Sequence, residues 1–158
     1  MHLSLRRGFS FGLTSGIITT LGLIVGLAFS TKSKLAVTGG IIIIAVADSF
    51  SDALGMHISV ESENIYKEKQ IWQSTFSTFI SKFIFAMTFI FPVLLLEMRN
   101  AIYASVIWGF LILTALNYNL AKREHINPLK VILEHLVIAT IVVISSALLG
   151  NFISTVFV

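Results

Sequence analysis

The sequence predicts an all-α membrane protein of five transmembrane helices, and three observations carry that expectation. First, 56% of its 158 residues are hydrophobic and only 12% charged, with a mean hydropathy of +0.91. A soluble domain of this size cannot hide so much apolar surface, so much of the chain is expected to meet lipid. Second, five apolar stretches, at about 9–29, 35–58, 78–96, 101–120 and 136–158, approach the roughly 20 residues that span 30 Å of hydrocarbon. Third, the few charges collect in short connections, "STKSK", a polar stretch around 59–75, "EMRN" and "KREHINPLK". One five-helix domain is expected over residues 1–158, without a linker, repeat or low-complexity segment.

The first apolar run, residues 8–31, is uncharged over 24 positions. That is too long for the core of a cleaved signal peptide and long enough to span, so it is read as a retained helix. Gly8, Gly12 and Gly16 recur every fourth residue, as do Gly22 and Gly26. Such ridges let helix backbones approach closely in lipid; plain helix packing is their commoner meaning and a pore wall another, and Gly12 and Gly16 are expected to pair two copies as a homodimer. Ser15, Thr19 and Thr20 add hydroxyls near the middle of that helix. Orientation follows from lysine and arginine. Arg6, Arg7, Lys67, Lys69, Lys82, Lys122, Arg123 and Lys130 fall on the N-terminal side, against Lys32, Lys34 and Arg99 on the other. The N-terminus is expected in the cytoplasm and the C-terminus outside, in the plasma membrane if the source is prokaryotic.

The second span holds the chemistry. In "AVADSFSDALGMHISVESE" (45–63), Asp48, Asp52 and Met56 are spaced by four and share a helix face. Counted from position 35, Asp48 lies about 20 Å into the span and Asp52 about 6 Å further. A bare carboxylate there costs at least about 2.5–3.5 kcal/mol. A proton, a lysine or a bound cation must neutralise it. Lys82, placed near the start of the third span, lies at similar depth to Asp52, which is read either as its structural partner or as a ligand of the passing cation. Asp48 is expected to have no lysine or arginine at its level and so to serve a cation or proton. Met56 offers a soft sulfur in line with the carboxylates. His57 and Glu61, again four apart, mark the cytoplasmic mouth and are either metal-capturing or ordinary interfacial charge.

The chain has no cysteine, which excludes disulfides and thiolate chemistry. The +3 net charge sits in loops and reads as membrane orientation rather than nucleic-acid binding. No nucleophile and base are arranged together and no phosphate loop appears, so an enzyme is not expected.

At "GLTSGIITTLGLIVGL" (12–27) and "DALGMHISVESE" (52–63) the chain resembles the vacuolar iron transporter family. Gly16, Ile17, Ile18, Thr19 and Thr20 match that family's D-G-[IVL]-[VI]-[ST]-T stretch in the first span. Gly55, Ile58, Ser59 and Val60 match its A-x-G-E-Y-[VI]-S-V pattern in the second. The family's first-span aspartate falls at Ser15, its second-span methionine at Asp52 and its glutamate at Met56. Its metal-binding insert after the second span is reduced to the link around 59–75. The resemblance implies a homodimer carrying ferrous iron or manganese out of the cytoplasm against protons. Asp48, Asp52, Met56, Ser15, Thr19, His57 and Glu61 are then candidate metal contacts, with no resident cofactor. The alternatives are a proton- or sodium-coupled carrier of another solute and a non-transporting membrane scaffold.

Overall fold

The computed structural model describes residues 3–157. It is all-helical: α1 (Leu3–Thr31), α2 (Lys34–Ser62), α3 (Glu68–Thr88), α4 (Ile90–Leu95), α5 (Met98–Arg123) and α6 (Pro128–Val156), with no strand among the described residues. Five segments are long and apolar enough to cross a membrane, the third being Glu68–Leu95, in which α3 and α4 follow one another. The break between them has a local cause. Pro92 has no N–H to give, and its ring collides with the carbonyl four residues back, that of Thr88, where α3 ends. α6 starts on a cap: the Asn127 side chain accepts from the Leu129 N–H at 3.0 Å, with Pro128 at the first helical position.

The third span starts ten residues earlier than the hydropathy suggested, because the polar run "EKQIWQST" is helical too. Lys82 is therefore well inside α3 rather than near its start.

The chain divides into two compact units. The first comprises Met1–Thr20 and Ile41–Thr88. In it Gly8, Gly12 and Gly16 are buried against α3. A methyl group on Gly8 would run into Ser74 and Ser77, one on Gly12 into Thr78 and Ser81, and one on Gly16 into Lys82, whose Cγ would lie 3.1 Å away. The contacts climb both helices together, so α1 and α3 run parallel here. Hydroxyls reinforce the seam, Ser77 Oγ donating to the Leu5 carbonyl at 2.8 Å and Ser4 Oγ to Gln73 Oε1 at 2.9 Å. The ridge expected to meet a second copy is thus filled by α3 of the same chain. Small residues in lipid permit close approach, and the spacing does not say to which helix.

The second unit comprises Leu21–Gly40 and Phe89–Val158. α5 buries one residue per turn, Ala101, Ser105, Gly109, Leu113, Asn117 and Ala121. Gly22 leaves room for Val142 and Ser146 of α6, and Gly150 packs on the backbone at Gly26. Outward, both units carry exposed large apolar residues such as Ile43, Leu54, Ile84, Leu111 and Leu148. These surfaces suit lipid rather than water.

Candidate functional site

The charged cluster forms inside the first unit. Gly16 lets the α3 backbone and the stem of Lys82 lie against α1, and the side chain reaches between α1 and α2. Its ammonium lies 2.6 Å from Asp48 Oδ2, contacts Asp52 Oδ2, and donates to Ser15 Oγ at 2.9 Å. Ser15 Oγ in turn donates to Asp52 Oδ2 at 2.6 Å. Lys82 is 1% exposed, whereas the side chains of Asp48 and Asp52 are 28% and 21% exposed. The lysine is the sealed floor of the site and the carboxylates are its open side.

Asp48 is therefore not without a cation at its level. The expectation failed because Lys82 was placed at the beginning of a span, with its reach confined to Asp52. Its position inside α3 brings it to both carboxylates. Two carboxylates against one ammonium leave a formal charge of −1 in a partly enclosed site. That residual charge is what the arrangement offers a passing cation or a proton.

The other candidates stand apart from this triangle. Thr19 Oγ1 donates to the Ser15 carbonyl at 2.9 Å, a bond within its own helix that shapes the backbone behind Ser15. Met56 is half-buried one turn beyond Asp52. His57 Nδ1 is 3.0 Å from Thr75 Oγ1, and its ring stands edge-on to Trp72 with centroids 4.7 Å apart. The Thr75 hydroxyl also donates to the Ile71 carbonyl of its own helix at 2.9 Å. Glu61 is exposed. Arg7, paired with Glu63 at 2.8 Å and lying over the Tyr66 ring, closes the end of the unit where α2 gives way to α3. Among the described residues, no three His, Asp or Glu side chains are grouped closely enough to hold a metal ion. His57 and Glu61 do not join Asp48 and Asp52.

What the sequence reading underestimated is Lys82 and its link to Ser15. The signal was present: Lys82 is the one charge in "SKFIFAMTFIF" (81–91), and an isolated lysine in such a run needs a buried partner. No family model matches the chain, and no curated protein matches it either. The likeness to the vacuolar iron transporter family therefore rests on the motifs in the first two spans.

Proposed function

We propose that this chain is a membrane cation transporter in which Asp48 and Asp52 bind the passing ion, with Fe²⁺ or Mn²⁺ as cargo. One observation carries the reading: two carboxylates one turn apart in an apolar helix share a single buried ammonium and keep an uncompensated negative charge. A fold that needed only an internal ion pair would be served by one aspartate. Oxygen donors with a half-buried thioether nearby suit Mn²⁺ or Fe²⁺. The motif likeness points to the same cargo and to export from the cytoplasm, and the lysine and arginine bias puts the N-terminus there.

The carboxylates also favour a second copy of the chain over α2. Asp48 and Asp52 are open on the side flanked by Ala47, Ser51 and Gly55, all exposed, and nothing lies within 4 Å of a methyl group built on Gly55. Small residues admit a close neighbour, and the same face of a second copy would shield the acids from lipid. Single cysteines introduced into this cysteine-free chain test orientation and dimer together. A cysteine at 157 should react with an impermeant reagent from outside intact cells and one at 67 should not. A cysteine at 51 should cross-link to its copy, whereas one at 12, under α3, should not. The opposite labelling overturns the orientation, and cross-linking at 12 but not 51 overturns the interface.

The scaffold reading is favoured by one fact, that Lys82 already lies in ion-pair contact with both acids without any added ion. Melting of the purified protein with and without metal separates the two. A ligand of the native state at a hundred times its dissociation constant adds about 2.7 kcal/mol. Mn²⁺ should raise the melting temperature of the wild type, and Asp48→Asn should abolish the rise. A wild type indifferent to Mn²⁺ and Fe²⁺ supports the scaffold.

A further inference from the structure

We propose that Lys82 is a tethered counter-ion with two seats, one on Asp48 and Asp52 and a second on the hydroxyls of Thr20 and Ser49, to which an arriving cation displaces it. This rests on the cation reading of the carboxylates. An ammonium has three N–H donors, and here Ser15 Oγ and Asp52 Oδ2 each accept one, while Asp48 Oδ2 is held as an ion pair without a hydrogen bond. A cation settling on the two carboxylate oxygens must take them from Lys82. A charge 1% exposed cannot then be left without partners, so the displaced ammonium needs acceptors within reach of its four-carbon stem.

Such acceptors exist and are idle. Thr20 Oγ1 and Ser49 Oγ are buried without a hydrogen-bond partner, both residues being 0% exposed. That is not the habit of hydroxyls in these helices. Thr19, Ser74, Thr75 and Thr78 all donate to the carbonyl four residues back. Helix register puts the two idle hydroxyls within about one residue's rise of the level of Asp48. The bond from Ser15 to Asp52 sets α1 against α2, which puts residue 19 level with Asp48 and Thr20 level with residue 47, between the buried Ala45 and Ser49. One residue of helix rise, about 1.5 Å, separates the level of Asp48 from that of Thr20. On α3, which climbs parallel to α1, the next residue on the face of Lys82 is Ala86, buried and only a methyl group wide.

The test is a double-mutant cycle on Mn²⁺ binding to the purified protein by equilibrium dialysis. Thr20→Val with Ser49→Ala should weaken Mn²⁺ binding about tenfold, the scale of one hydrogen bond to a charged group. The same pair of changes in a Lys82→Met background should have no effect, because no ammonium remains to be reseated. Lys82→Gln, whose amide can still satisfy one carboxylate, stands in if Lys82→Met does not fold. Equal weakening in both backgrounds, or none in the wild type, overturns the second seat. A folded wild type that binds no Mn²⁺ overturns the cation reading beneath it.

Discussion

Replacing Lys82 with methionine is expected to lower stability by about 3–5 kcal/mol in metal-free detergent, the usual cost of removing one partner from a buried ion pair. The residue is 1% exposed and holds both carboxylates, so its loss leaves two like charges one helical turn apart. Two additions should recover part of that loss. A second change, Asp52→Asn, removes one of the stranded charges and leaves a near-isosteric amide that Ser15 can still meet. Mn²⁺ should do the same by occupying the place of the ammonium, and should raise the melting temperature of the Lys82→Met protein more than that of the wild type. Melting curves of the wild type and Lys82→Met, each with and without Mn²⁺, and of the double variant decide it. A Lys82→Met protein as stable as the wild type would mean that the acids do not depend on the lysine.

The helical architecture was legible because hydropathy and span length are local properties of the chain, and five apolar segments admit few other arrangements. Segment ends were less legible. Residues 68–77 are polar enough to read as a loop, yet nothing in them breaks a helix, and α3 continues through them. That single displacement carried Lys82 from the edge of a span to its interior and changed the account of Asp48. The glycine ridge shows a second limit. Gly8, Gly12 and Gly16 announce a close helix contact, but the partner is set by which helix offers a matching groove. Ser74, Thr78 and Ser81 of α3 supply it. Periodicity identifies a face and leaves the neighbour open. The row of Asp48 and Asp52 was readable for the opposite reason. Carboxylates four apart in an apolar helix are costly wherever the other helices lie, so their importance needs no tertiary information. The idle hydroxyls of Thr20 and Ser49 were not readable in this sense. Most membrane hydroxyls bond within their own helix, and only the structure separates those that do from those that do not.

Asp48→Asn is expected to fold and to stop transport. With the amide in place, Lys82 and Asp52 still form a neutral pair joined to Ser15, so the three helix segments remain tied. The formal charge of the site rises from −1 to zero, and the attraction for a cation goes with it. At 4 Å a unit charge pair is worth about 4 kcal/mol at intermediate dielectric. Since 1.4 kcal/mol is a factor of ten, cation affinity and flux should fall at least tenfold. The deciding measurement is Mn²⁺ and Fe²⁺ flux into liposomes containing the wild type or Asp48→Asn, with the melting temperature of each recorded beside it. The account predicts flux in the wild type and at most a tenth of it in a variant that melts normally. Undiminished flux through Asp48→Asn, or a wild type that passes neither ion, would contradict it.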